Sequence, residues 1–255
     1  MSDPPDFPEL LTPWERLRQY TDARIALGRV GTSVPTAELL RFGQAHALAR
    51  DAVQAELDGV ALAEALPCNT LQVRSQAAHR SEYLRRPDLG RRLHPESARV
   101  LRAHRSDPAP DLLIMVSDGL SALAAQRQAA AVLHTLLPGL QAAGLRVAPV
   151  LIAGQARVAL ADEAAELLGV RLAIHLIGER PGLSSPDSLG AYLTYNPRSG
   201  TLDSARNCVS NIRPAGLDAG TAARRVLALT LQALRRGLSG VELKDTDGVL
   251  GEGPG

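Results

Sequence analysis

Aromatic residues make up only 3% of the 255-residue sequence, so few rings are available for stacking against bases. Basic and acidic residues nearly cancel, 28 against 27, which leaves a formal net charge of +1. Nucleic-acid-binding proteins usually carry a basic excess, so we expect no nucleic-acid partner. The core must come from the aliphatic members of a 45% hydrophobic fraction. Such a core is typical of parallel strands that are buried on both faces.

Cysteine, lysine and long apolar runs are also scarce. Cys68 and Cys208 stand in no CxxC pair or zinc-finger spacing, so we predict reduced thiols, although a disulfide stays open. The single lysine, Lys244, leaves little scope for Schiff-base chemistry. The sequence has no apolar run of about 18 residues, which a membrane span needs. Its first residues lack the pattern of a signal peptide. These absences predict a soluble, cytoplasmic protein without a membrane partner.

Residues 1–105 predict a mostly helical region. Apolar residues recur at helical spacing between Trp14 and Ile25, and a second helix is expected from about Ala37 to Leu57 after an N-cap at Thr36. The apolar residues of that second helix predict one broad inward face. A short helix from about residue 95 to residue 104 completes this region.

Residues 106–255 show a different pattern. Apolar runs at 111–117, 146–152 and 171–177 predict strands, and helices are expected from Ser121, over 162–168 and from Leu217. This alternation predicts an α/β fold, a Rossmann-like parallel sheet with flanking helices, preceded by the small helical domain. Residues 181–213 predict a long, ordered functional loop.

Standard cofactor and nucleophile motifs are missing. The turn at 118–121 has one glycine where a dinucleotide fingerprint needs three, and neither a P-loop nor a nucleophile elbow occurs. Ligands of open α/β sheets bind at the carboxyl ends of the strands, where Glu179 follows the third predicted strand. By position alone, an ion-pair or helix-capping role for Glu179 is as probable as a ligand-binding role. Cys208 and Val158 could equally be core residues. An isolated histidine such as His175 is more often a structural residue than a functional one.

Six short segments with distinctive residue combinations follow one another in order along most of the chain. They are residues 23–29 (ARIALGR), 31–36 (GTSVPT), 83–92 (YLRRPDLGRR), 116–121 (VSDGLS), 178–183 (GERPGL) and 206–212 (RNCVSNI). Each alone is a weak signal, but together they resemble the small, or light, subunit of ethanolamine ammonia-lyase.

The resemblance implies a subunit of a lyase that converts ethanolamine to acetaldehyde and ammonia by an adenosylcobalamin radical mechanism. The large, barrel subunit would bind ethanolamine, and this chain would help to enclose the cofactor, which carries the difficult chemistry. Three positions match cofactor-contacting residues of the family: Val158, Glu179 and Cys208. The resemblance implies no catalytic residue and no metal ligand in this chain, and leaves packaging in a bacterial microcompartment open.

Two alternatives stay open at this point. A free-standing α/β enzyme would need a nucleophile, base or phosphate loop, for which the sequence offers no convincing pattern. A structural shell protein would not bind cobalamin. Activity of the isolated chain would indicate a free-standing enzyme. Cobalamin binding in the presence of the large subunit would exclude a structural shell protein.

Overall fold

A six-stranded sheet forms the centre of the molecule. The computed structural model describes residues 13–243, so that Lys244 and the glycine-rich carboxyl end lie outside the described range. The strands are β1 (Thr70–Arg74), β2 (Leu112–Ser117), β3 (Val150–Gly154), β4 (Leu172–Gly178), β5 (Leu189–Tyr195) and β6 (Arg206–Ile212). Their spatial order is β1-β3-β2-β4-β5-β6. The first four run parallel, whereas β5 and β6 are antiparallel to their neighbours.

Helices cover the sheet, and others precede it in the chain. They are α1 (Pro13–Leu17), α2 (Thr36–Gln54), α3 (Gly59–Ala65), α4 (Arg80–Arg85), α5 (Pro95–Ala103), α6 (Ala122–Ala142), α7 (Leu160–Leu168) and α8 (Ala219–Arg236), with short 3-10 turns at 89–91, 203–205 and 240–242. Side-chain caps explain where α6 and α8 begin, since Ser121 accepts from the N–H of Ala124 and Asp218 from that of Thr221. α2 instead begins after Pro35 without a side-chain cap, so the N-cap predicted at Thr36 is wrong. Among residues 13–243, no helix is long and apolar enough to cross a membrane.

The core lies on both faces of the sheet, as the aliphatic composition predicts. All six residues of β2 are buried, with alternate side chains on opposite faces. Ile114 packs in a cluster with α3, α6 and α8, and Met115 packs in a second cluster with α5 and α7. The mixed α/β class with flanking helices is therefore confirmed, with a sheet that is mostly rather than wholly parallel. The strands predicted at 111–117 and 171–177 occur as β2 and β4, and the one predicted at 146–152 begins later, as β3.

Three of the strands were not predicted from the sequence. β1 lies within the region predicted to be mostly helical, and it pairs with β3 at the edge of the sheet. β5 and β6 occupy much of the segment 181–213, so the prediction of one irregular loop there is wrong. The signal in β6 is hidden because a charged side chain, that of Arg206, is one of its buried residues.

The predicted inward face of the second helix is also wrong. Of the residues in α2 only Ala52 is buried, while Leu39 is 62%, Leu40 68% and Leu48 52% exposed. A helix turns by about 100° per residue, so Leu39 and Leu48 lie on opposite sides and the apolar residues surround α2. Large apolar side chains exposed close together are normally covered by a partner, yet nothing in residues 13–243 covers these leucines.

A buried ion pair fastens the edge of the sheet to a flanking helix. Arg206 of β6 donates two hydrogen bonds to the carboxylate of Asp162 in α7, at 2.7 and 2.6 Å. It also donates to the carbonyl of Thr201 at 2.8 Å. Both side chains of the pair are almost fully buried, at 3% and 1% exposure. Burial makes such a pair costly to break from one side, because without Asp162 the buried Arg206 would keep only the exposed carboxylate of Asp203, which lies 3.3 Å from its Nε.

Replacing Asp162 by alanine should therefore lower the free energy of unfolding by about 3 kcal/mol, the lower end of the usual cost of breaking a buried pair from one side, because the exposed Asp203 still compensates Arg206 in part. Urea unfolding of the full chain measures this. Asp88→Ala is the matched control, because Asp88 pairs with Arg86 on the surface, and it should have no measurable effect. Equal stabilities of the two variants would contradict the assigned role of the buried pair.

Candidate functional site

A pocket of about 410 Å³ opens at the carboxyl edge of β4, next to the turn between β2 and α6. Its lining combines apolar, aromatic and charged side chains with the backbone of two glycines. The lining residues are Tyr83, Gly119, Leu120, Arg157, Val158, Ile177, Gly178, Glu179, Arg180 and Tyr192. The pocket lies where open α/β sheets bind ligands, and its volume is within the range of small-molecule sites.

Two glycines allow the backbone segments under the pocket to meet. Gly119 has a φ of 51°, and a Cβ there would lie 2.2 Å from the carbonyl oxygen of Gly178. A Cβ on Gly178 would lie 2.0 Å from the carbonyl oxygen of Ser121. The N–H of Leu120 instead donates to the carbonyl of Gly178 at 2.9 Å. The single glycine of the β2–α6 turn thus serves close backbone packing.

The buried carboxylate of Asp118 holds the loop after β3 beside this turn. It accepts from the N–H groups of Gln155 at 2.9 Å and Ala156 at 3.1 Å, and from Arg80 at 3.2 Å. Burial raises the pKa of Asp118 above its ordinary value, although Arg80 and the two N–H groups counteract it. The loop that Asp118 holds leads directly to Arg157 and Val158.

His175 supports Val158 from below. This histidine of β4 is buried, and burial lowers its pKa to about 4, so the ring is neutral at physiological pH. Its Nδ1 lies 3.1 Å from the carbonyl oxygen of Val158, which can only accept, so Nδ1 carries the proton. Nε2 then accepts from the hydroxyl of Ser117 at 2.7 Å. Because both ring nitrogens are satisfied, the interpretation of His175 as structural agrees with its contacts.

Glu179 is half-buried at the end of β4. Its Oε2 accepts from the hydroxyl of Ser188 at 2.5 Å and from the N–H of Asn211 at 3.3 Å. The backbone N–H of Glu179 donates to the carbonyl of Ser188 at 3.0 Å. These contacts fix the carboxylate against β5 and β6, and among residues 13–243 they leave Oε1 without a hydrogen bond.

Cys208 lies beside the pocket on β6, opposite Tyr192 of β5 in the strand register. The residue is exposed and its thiol is free, so the expectation of a buried small side chain is wrong. Desolvation nevertheless raises the pKa of the thiol, with a smaller lowering by Tyr192 and a further raising by Glu179. The thiol is therefore protonated at neutral pH and a poor nucleophile. Cys68 is also free, as predicted.

Comparison with known proteins identifies the family. The sequence model of the family described as "Ethanolamine ammonia-lyase light chain (EutC)" matches residues 11–244. The chain belongs to this family. The resemblance found in the six segments is thereby confirmed.

Curated relatives in the light-chain family align along nearly the whole chain. The ethanolamine ammonia-lyase small subunit of Azotobacter vinelandii is 53% identical over 259 residues, which cover 97% of this chain and 96% of the relative. That of Pseudomonas fluorescens strain SBW25 is 51% identical, with coverages of 96% and 91%. That of Ralstonia nicotianae is 50% identical, with coverages of 94% and 92%. A small subunit implies a large partner subunit.

The structure brings two of the three sequence-predicted residues into one pocket. Val158 and Glu179 both line it, while Cys208 lies next to a third lining residue, Tyr192. Sequence reasoning missed Tyr83, Arg157 and Tyr192 as members of the site. Tyr83 opens one of the six resemblance segments and Arg157 directly precedes Val158, but no periodicity or motif marks either as a pocket residue.

The buried His175 should make folding stability depend on pH. Between about pH 6.5 and pH 4 the unfolded chain protonates this histidine and the folded chain does not, so stability falls as the pH falls. Wild type should lose about 3 kcal/mol more than His175→Gln across that window. Urea unfolding at a series of pH values measures the difference. Replacing the exposed His134 of α6 is the control and should keep the wild-type dependence, whereas parallel curves for His175→Gln and wild type would refute the assignment.

Proposed function

We propose that this chain is the small subunit of an adenosylcobalamin-dependent ethanolamine ammonia-lyase and that its pocket helps to enclose the cofactor. The observation that carries the proposal is that Val158 and Glu179, distant in sequence, line one pocket at the carboxyl edge of the sheet. The reaction is the conversion of ethanolamine to acetaldehyde and ammonia. When bound, adenosylcobalamin supplies the radical by homolysis of its cobalt–carbon bond.

The residues of the pocket fit a corrin, a flat apolar macrocycle with a rim of amide side chains. Val158 and Leu120 offer apolar surface, and Cys208 adds an exposed sulfur beside them. Glu179 presents an oxygen that can accept from an amide N–H. The Nε of Arg157 is a buried donor without a hydrogen-bond partner among residues 13–243, as expected of a group that a ligand satisfies.

The role of this chain is to bind, orient and shield. A pocket of about 410 Å³ that opens to solvent encloses part of a large cofactor, so a second polypeptide must complete the site. That partner is the large, barrel subunit, which binds ethanolamine. Closing the two chains around the cofactor excludes water and protects reactive intermediates from side reactions.

The proposal extends to domains and location. The proposed division is a Rossmann-like, cobalamin-contacting domain over residues 106–255 and a helical region over residues 1–105; in the described part of the latter, β1 pairs with β3 of the sheet. The proposed location is the cytoplasm, with a bacterial microcompartment as the alternative.

The helical region supports the proposed partner. Large apolar side chains of α1 and α2 are exposed, including Trp14 at 68% and Leu40 at 68%. Exposed apolar surface of this extent marks a protein contact. We propose that the large subunit covers α2.

Removing the Glu179 carboxylate should weaken cobalamin binding more than removing the Cys208 sulfur. Glu179→Ala leaves buried amide N–H groups of the ligand unpaired, at a cost of about 1–3 kcal/mol, or roughly 5- to 150-fold in Kd. Cys208→Ala removes a small apolar contact of about 1 kcal/mol. Absorbance titration of hydroxocobalamin into complexes reconstituted with the large subunit measures both. Glu64→Ala, on the exposed side of α3, is the control, and wild-type affinity in both test variants would remove these residues from the site.

A charge on α2 should weaken assembly with the large subunit. Leu40→Glu denies the partner a leucine whose burial contributes about 1.5–3 kcal/mol, so association should be at least roughly tenfold weaker. The stability of the isolated chain should hardly change, since Leu40 is exposed. Sedimentation velocity with the large subunit measures association. Val241→Glu, an equally exposed apolar position outside the helical region, is the control; unchanged association of Leu40→Glu would show that α2 lies outside the interface.

A further inference from the structure

We propose that Arg157 is a further cofactor-binding residue, and that Arg157 and Glu179 together select a primary amide on the corrin rim. Arg157 donates to the amide oxygen and Glu179 accepts from the amide nitrogen. The inference rests on the proposed function and adds to it a specificity for corrinoids that are amidated at this position over those that carry a carboxylate there.

Arg157 is held in place before any ligand binds. Its guanidinium lies over the ring of Tyr83, with its central carbon 4.3 Å from the ring centroid. Its backbone N–H donates to the carbonyl of Gly90 at 2.8 Å. Gly90 allows the approach, because a Cβ there would lie 3.0 Å from Cγ of Arg157 and 2.9 Å from the Tyr83 ring. Stacking and this tight contact restrict the side chain to few rotamers.

Tyr83 is itself fixed, so the platform under Arg157 does not move. The tyrosine is fully buried and its hydroxyl donates to the carbonyl of Ala156 at 2.9 Å. A second guanidinium, that of Arg80, stacks on the same ring at 4.9 Å. Burial raises the pKa of Tyr83, so the hydroxyl stays protonated and keeps its donated hydrogen bond.

Arg157 retains donor capacity that the described chain does not use. Its Nη2 reaches the carbonyl of Tyr83 only at 3.5 Å, the limit of a hydrogen bond. Its Nε is buried and has no partner among residues 13–243. A buried donor left unpaired costs free energy. A ligand oxygen in the pocket that Arg157 lines removes that cost.

Glu179 supplies the complementary acceptor. Its Oε2 is occupied by Ser188 and Asn211, which fix the carboxylate, and Oε1 is without a hydrogen bond in the described residues. Both Glu179 and Arg157 line the same pocket. An arginine alone would prefer a carboxylate ligand. Glu179 would repel a carboxylate bound between it and Arg157, since like charges in a partly desolvated site are unfavourable. A neutral primary amide satisfies the donor and the acceptor together.

The test compares hydroxocobalamin with its monocarboxylic acids, in each of which one side-chain amide is hydrolysed. Absorbance titrations use the complex reconstituted with the large subunit. In wild type, the acid whose altered group faces this chain should bind roughly tenfold more weakly than hydroxocobalamin. Glu179→Gln should lose most of that discrimination, because its amide no longer repels the carboxylate.

Arg157→Met keeps the apolar stem and removes the donors. It should weaken hydroxocobalamin binding roughly tenfold, and Arg157→Lys should recover only part of that loss, since lysine lacks the stacked planar fork. Arg99→Met, at an exposed position on α5, is the matched control. Thermal unfolding of each variant shows whether the chain still folds, and Glu179→Gln provides an independent arm if Arg157→Met does not.

The outcomes separate this inference from the proposed function. Wild-type affinity in Arg157→Met, or equal binding of every monocarboxylic acid and hydroxocobalamin by wild type, would overturn the inference while cobalamin binding by the complex still supported the function. Failure of the wild-type complex to bind hydroxocobalamin would overturn both.

Discussion

The pocket depends on one buried carboxylate, that of Asp118. It binds Arg80 and the N–H groups of Gln155 and Ala156, and Arg80 in turn donates to the carbonyls of Gly119 at 2.8 Å and Val53 at 2.6 Å. The end of α2, the β2–α6 turn and the loop before Arg157 therefore meet at a single charged centre. Such a centre tolerates little change, because removing either charge leaves the other buried without compensation.

A second layer of support surrounds this centre. Tyr83 stacks between two arginines and holds Ala156, while His175 holds the carbonyl of Val158. All of these contacts are made between residues of this chain, so the chain itself positions the wall of the pocket. A wall held in this way lowers the ordering cost of binding, which matters if, as we propose, a large cofactor is shared between two chains. Glu179, which lines the same pocket, is fixed by Ser188 and Asn211 in the same way.

The sequence predicts those parts of the fold in which hydropathy follows burial. β2 and β4 are continuous apolar runs buried on both faces, and the helices after Ser121 and before Gly169 have clear caps. β6 escapes because Arg206 is buried by pairing with Asp162, a contact between residues 44 positions apart. The resemblance provides Val158 and Glu179, but Arg157 gains its importance from Tyr83, 74 positions away. Contacts between distant residues decide the site, and no local pattern encodes them.

Three features of the isolated chain leave physical requirements unmet, and the proposed partner would meet all of them. α2 exposes leucines on opposite sides, the pocket opens to solvent, and the Nε of Arg157 lacks a partner within the described residues. A free-standing enzyme would have to explain each feature separately. His175, beneath the pocket, is buried with both ring nitrogens engaged, so it has no free position for a substrate. A large subunit that covers α2 and closes a corrin into the pocket removes the exposed apolar surface, the solvent and the unpaired donor together. The exposed leucines, the open pocket and the unpaired donor are therefore the features that the proposed assembly with the large subunit would cover or satisfy.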